Sequence, residues 1–264
     1  MQIGLIGCGN MARALARGWG RPVLCADPIA ERARSLAAEV GGEALASNAE
    51  LAARAELLVL CHKPAQLAAV AEELGPGDTP VASILAVTPL AALREAYPGR
   101  PVYRFIPSLP VEVRQGAVVQ AAGPGTLDGG ADGRSAAERS ATDAAVAELF
   151  AELGTLVVLD DALVDVAMGL MACAPAYVAL VAEAQIDAGV RRGIPAAQGA
   201  EMVVQTLAGT AELLRRRGYD TLAVRREVSS PGGTTARGTD ALERAGLRRA
   251  FSDALDAVLD GGGR

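Results

Sequence analysis

An apolar run, residues 2–7, passes directly into Gly7-Cys8-Gly9-Asn10-Met11-Ala12, a string that opens a helical segment over residues 10–19. Few sequence features limit a fold as strongly. The first glycine permits a tight strand-to-helix turn, and the second lets backbone approach a pyrophosphate. Ala12 keeps helix and strand close, while the helix start offers amide donors and a positive dipole. The string also stands in the required context, behind the first strand of a strand–helix–strand unit. Gly7, Gly9, Asn10 and Met11 are therefore expected at a dinucleotide.

The first half continues the alternation. Short apolar runs at 23–26, 57–61, 81–85, 102–106, 117–120 and 156–159 lack a polar face, as befits strands covered on both sides. Helical segments fall at 29–38, 64–74, 89–96 and 136–153, with Pro64 and Pro89 where a first turn tolerates proline. This predicts an α/β fold with a parallel, doubly wound sheet over residues 1–160. Residues 122–134 carry no apolar period and read as a flexible surface loop. Beyond Asp160 only helices are expected, at 163–173, 176–192, 196–217 and 240–259. Residues 161–264 thus form an all-α second domain. Residues 166–182 are just short of a membrane span and read as a buried helix pair. Helices this apolar predict packing against a second copy of the chain.

Composition narrows the function. With 264 residues and 51% hydrophobic content there is material for a real core, which excludes a disordered chain. The net charge of −6 argues against nucleic acid as a partner. No basic segment precedes an apolar run at the start, so a cytoplasmic location without membrane attachment is expected. The four scattered cysteines suit free thiols better than a disulfide or a metal site.

Rare residues mark further sites. The chain has one lysine, Lys63, one histidine, His62, and two asparagines, Asn10 and Asn48. Asp27 closes the second strand, where an acid binds ribose hydroxyls or caps the next helix. Arg32 and Arg34 could instead receive a 2′-phosphate, so NADH and NADPH both stay open. His62, Lys63 and Pro64 lie at the carboxyl end of a strand, the binding edge of such sheets. Lys63 is expected on cofactor ribose or phosphate, while His62 is either an ordinary loop histidine or a proton donor near the nicotinamide. In the second half, Ser229-Ser230-Pro231-Gly232-Gly233-Thr234-Thr235 aims amides and hydroxyls into one concavity, a nest for a carboxylate with no general base.

Together with IGLIGCGNMARAL (3–15), KPAQL (63–67) and APAYVALVAEAQIDAGV (174–190), the stretch VSSPGGTTARGTDALERAG (228–246) resembles the pyrroline-5-carboxylate reductase family over nearly the full length. The resemblance implies a Rossmann-type domain followed by a helical dimerisation domain, a homodimer, and hydride transfer to the C=N bond of a cyclic imine carboxylate. It places Asn48, Lys63, Pro107 and Ser108 at the cofactor and Ser230, Pro231, Gly232, Gly233, Thr234 and Thr235 at the substrate. The Thr235 hydroxyl falls near the ring nitrogen, and Cys173 joins the substrate pocket. Departures surround that pocket: Met171-Ala172-Cys173-Ala174 replaces Ser-Gly-Ser-Gly, and Ile106-Pro107-Ser108-Leu109-Pro110 replaces Met-Pro-Asn-Thr-Pro. His62 also stands where a small apolar residue is usual. They leave a different cyclic imine, or a non-catalytic cofactor-binding dimer, as alternatives. Hydroxyacid dehydrogenases of related build place a catalytic lysine in the helical half, and this chain has none there.

Overall fold

The computed structural model describes residues 1–123 and 135–261, so the expected loop at 122–134 lies outside the described residues from 124 onward. Its strands are β1 (Ile3–Ile6), β2 (Leu24–Ala26), β3 (Glu43–Ala44), β4 (Leu57–Leu60), β5 (Val81–Ser83), β6 (Val102–Pro107), β7 (Gly116–Ala121) and β8 (Gly154–Leu159). The helices of the first half are α1 (Asn10–Trp19), α2 (Ala30–Val40), α3 (Asn48–Ala52), α4 (Leu67–Leu74), α5 (Leu90–Ala96) and α6 (Ala136–Ala151). Then follow α7 (Val164–Ala167), α8 (Ala174–Val190), α9 (Ala196–Arg216), α10 (Thr221–Glu227), α11 (Thr234–Arg244) and α12 (Leu247–Gly261). The chain divides into two compact units, Met1–Pro175 and Ala176–Arg264. That division comes later than Asp160 because Val164 and Ala167 are buried in the core of the first unit.

The first unit holds one eight-stranded sheet in the order β3-β2-β1-β4-β5-β6-β7-β8. Successive residues of a strand face opposite sides, and both sides are apolar. Ile3, Leu5, Leu57 and Val59 pack with α1, α2 and α6, whereas Ile6, Leu58 and Leu60 pack with α4 and α5. The run therefore reads as continuously hydrophobic. Trp19 anchors α1 by donating its indole N–H to the Leu149 carbonyl at 2.9 Å and setting its edge against Phe150. Gly18 lets α1 approach the backbone carbonyl of Val111, where a Cβ would clash.

Several elements depart from expectation. The sheet is mixed: β7 runs antiparallel to β6, with Phe105 opposite Gln120, and β8 follows β7 in parallel. The β6–β7 connection, which holds only a 3₁₀ turn over Leu109–Val113, is too short for a parallel crossover. Short β3 and α3 escaped the periodicity because they span too few residues to show one, and α10 because it buries Val224 alone and has no apolar stripe. The helix expected over 240–259 is two, since Gly246 takes a left-handed φ of 83° between α11 and α12. Residues 163–173 are α7 followed by a π-helical turn, Met168–Ala172. In the second unit α8 buries no residue within the chain, contrary to the expected buried pair, and leaves Val178 and Leu180 exposed. The stretch Asp161–Val190 is long and apolar enough to cross a membrane by length and composition.

Candidate active site

The carboxyl ends of β1, β2, β4 and β5 open into a cleft of about 970 Å³. Its floor is the glycine turn. Gly7 has φ 94°, and a Cβ there would meet Cys61 and His62 backbone at 2.9 Å, so only glycine lets β1 and β4 end this close. Gly9, the N-cap of α1, makes no side-chain cap. A Cβ on it would meet nothing within 4 Å. The turn thus leaves room for a group lying against the backbone, and the first-turn amides of α1, beginning at Asn10 and Met11, have no partner within their helix.

Asp27 holds this turn in place. One carboxylate oxygen accepts the Cys8 N–H at 2.8 Å and the other accepts the Ile29 N–H at 2.8 Å. Each oxygen keeps a further lone pair for a hydroxyl donor. Arg32 lines the same end of the cleft and makes no side-chain bond or ion pair among the described residues, whereas Arg34 is bound to Glu31 at 2.9 Å. Of the two arginines considered for a 2′-phosphate, Arg32 is therefore the one available. Beneath the turn, burial pushes the Cys61 thiol up, and a hydrogen bond with Cys25 together with burial raises Cys8. These thiols are held protonated and serve as packing.

The other wall comes from the start of α3 and the segment after β4. Asn48, His62, Lys63 and Pro64 all line the cleft. Lys63 carries no ion pair among the described residues, and its N–H is taken by Gln66 Oε1 at 3.0 Å. The His62 ring lies 2.9 Å from the Lys63 carbonyl through Nδ1. A carbonyl only accepts, so in the neutral ring Nδ1 carries the proton and Nε2 has none. Burial also holds the imidazole below its usual range, which disfavours the charged form. Of the two roles open to His62, proton donation is thus the one its surroundings suit poorly.

Nine residues expected at the cofactor, Gly7, Gly9, Asn10, Met11, Asp27, Asn48, His62, Lys63 and Pro64, meet in this one cleft. Pro107 and Ser108 are not among its lining residues. Both are buried, and Ser108 is occupied in joining β6 to β7: its N–H donates to the Ala117 carbonyl and its Oγ accepts the Ala117 N–H, each at 2.9 Å. Cys173 is half-buried at the end of the π-helical turn.

In the second unit the expected carboxylate nest is one exposed loop at the head of α11. Gly232 is left-handed at φ 70°, the Gly233 N–H returns to the Ser230 carbonyl at 3.0 Å, and Thr234 begins the helix. Arg237 reaches back to the Gly232 carbonyl at 2.8 Å. Ser230, Pro231 and Thr235 are exposed.

The family described as pyrroline-5-carboxylate reductase dimerisation matches residues 161–262, and that of NADP oxidoreductase, coenzyme F420-dependent, matches residues 2–87. The pyrroline-5-carboxylate reductase of Thermus thermophilus is 35% identical over 98% of this chain and 96% of its own. The chain belongs to the pyrroline-5-carboxylate reductase family. The family enzyme of Pseudomonas aeruginosa is 32% identical over 97% of this chain and 94% of its own. Among solved structures, 1-pyrroline-5-carboxylate reductase of Streptococcus pyogenes superposes with a TM-score of 0.86 at 27% identity, covering 99% of this chain and 98% of that one. The Plasmodium falciparum enzyme, solved with NADP bound, has a TM-score of 0.83 at 22% identity, covering 99% and 97%.

For this member of the pyrroline-5-carboxylate reductase family, the sequence had not singled out Glu73 on α4, which lines the cleft and binds Asn48. Nothing local marks it. It is one of many solvent-facing acids until α3 and α4 are laid side by side.

Proposed function

We propose that this reductase uses NADPH or NADH to reduce the C=N bond of pyrroline-5-carboxylate, giving proline. The observation that carries the reading is the cleft itself, in which the glycine turn, Asp27, Asn48 and Lys63 converge in a chain matching family enzymes end to end. The bound cofactor supplies hydride. The chain supplies placement. Gly7, Gly9, Asn10 and Met11 give the pyrophosphate a backbone seat, Asp27 holds the turn and faces ribose, and Lys63 brings positive charge to ribose or phosphate. The loop Ser230–Thr235 holds the substrate carboxylate through amides and hydroxyls, with the Thr235 hydroxyl directed to the ring nitrogen. An iminium enters already protonated, so the site needs to orient it and exclude water more than to donate a proton. That agrees with a His62 whose ring is kept neutral.

A second copy of the chain is the natural cover for Val178 and Leu180 on α8 and Met202 and Val204 on α9, all exposed in one protomer. The working form is then a homodimer, acting in the cytoplasm on the reduced-nicotinamide pool. The test is to incubate the purified protein with pyrroline-5-carboxylate and each reduced cofactor, following nicotinamide absorbance and assaying proline. Stoichiometric proline is the expected result. Tight cofactor binding with no proline would overturn it, and turnover of a six-membered cyclic imine alone would move the specificity to the Met171–Ala174 departures.

A further inference from the structure

Asn48 and Glu73 face each other across the cleft wall. The Asn48 Nδ2 donates to Glu73 Oε2 at 2.8 Å, and the Asn48 backbone N–H donates to Glu73 Oε1 at 3.2 Å. A carboxylate only accepts, so the Asn48 atom turned to it is the nitrogen, and the amide cannot flip without losing that bond. Its Oδ1 is left without a partner among the described residues, on a side chain that lines the cleft. Glu73 takes one first-turn amide of α3, that of Asn48, but the cap itself is made by other residues. Ser47 Oγ already accepts the Glu50 N–H at 3.1 Å, and Glu50 Oε2 accepts the Ala46 N–H at 3.0 Å.

Glu73 is also a costly neighbour. It lines a cleft whose ligand carries several phosphate charges, and a carboxylate there repels them. Something must offset that repulsion. We propose that Glu73 is a positioning residue which locks the Asn48 carboxamide so that Oδ1 faces the cofactor as an acceptor. A dinucleotide offers hydroxyl and amine donors besides its phosphates, and a fixed acceptor selects one of them. This inference rests on reading the cleft as the cofactor site.

The test is a fluorescence titration with NADPH, and separately NADH, of the full-length protein, Glu73→Ala, Glu73→Gln, Asn48→Ala and the Asn48→Ala/Glu73→Ala pair. Glu73→Ala is expected to weaken binding about tenfold, the worth of one or two hydrogen bonds, and Glu73→Gln, which keeps an acceptor, by about twofold or less. In the Asn48→Ala background the Glu73 change should add nothing, and in the Glu73 variants the loss should appear in the KM for the cofactor rather than in kcat. Binding by Glu73→Ala as tight as wild type or tighter would overturn the inference alone. So would a loss that adds in full to that of Asn48→Ala. Wild-type protein that binds neither cofactor would overturn the reading of the cleft and this inference with it.

Discussion

His62 shows how a single residue can sit in a site and still be limited in what it does there. Its Nδ1 is bound to the Lys63 carbonyl, its Nε2 is buried without a partner among the described residues, and burial lowers its pKa. The sign of the effect follows. Above the ordinary histidine value of about 6.5 the ring is neutral both folded and unfolded and contributes nothing. As pH falls below that value the unfolded chain takes up the proton first, and stability declines until the folded pKa is passed. Replacing His62 by Gln should therefore reduce the loss of melting temperature between about pH 7 and pH 5, without removing an acid limb from the rate profile. Equal slopes for both proteins would contradict this. The residues that were legible in sequence are those whose chemistry is local. Gly7 and Gly9 show in the turn they permit, and Asp27 in its place at a strand end. Glu73, and the bonds by which Ser108 joins β6 to β7, were not legible, because the partner of each is supplied by another element.

Among the elements, the segment after β8 is held to the sheet by charge. Arg104, on β6 and 1% exposed, donates to Asp161 Oδ1 at 2.8 Å and also pairs with Asp165, while Asp161 Oδ2 accepts the Leu90 N–H at 3.0 Å. One buried cation thus ties β6, α5 and α7 together. The two sides of the pair are not equivalent. The aspartates keep side-chain exposures of 27% and 34% and can turn to water, but the guanidinium cannot. Asp161→Ala/Asp165→Ala should therefore cost about 3 kcal/mol or more in urea unfolding, and Arg104→Met distinctly less. The reverse order would contradict the account. Strands and helices long enough to show a period were legible, and α1 falls at its expected bounds. The reversal of β7 was not, since direction is set by the length of a connection rather than by any residue in the strand. The break at Gly246 was hidden because a lone glycine inside a helical stretch does not by itself end it.

At the scale of the whole molecule, sequence pattern separated a sheet-bearing half from a helical one, and the structure parts the chain at Pro175. Helices that bury nothing within one protomer were legible only as an excess of apolar residues, because burial between copies leaves no trace in the periodicity of one chain. The central claim is a division of labour, with cofactor held by the cleft of the first unit and substrate carboxylate by the Ser230–Thr235 loop of the second. Two-substrate steady-state kinetics on wild type, Lys63→Ala and Thr235→Val tests it most directly. Lys63→Ala should raise the KM for NADPH about tenfold with little change in that for pyrroline-5-carboxylate, and Thr235→Val should do the converse. Both Michaelis constants moving together in each variant would contradict the account.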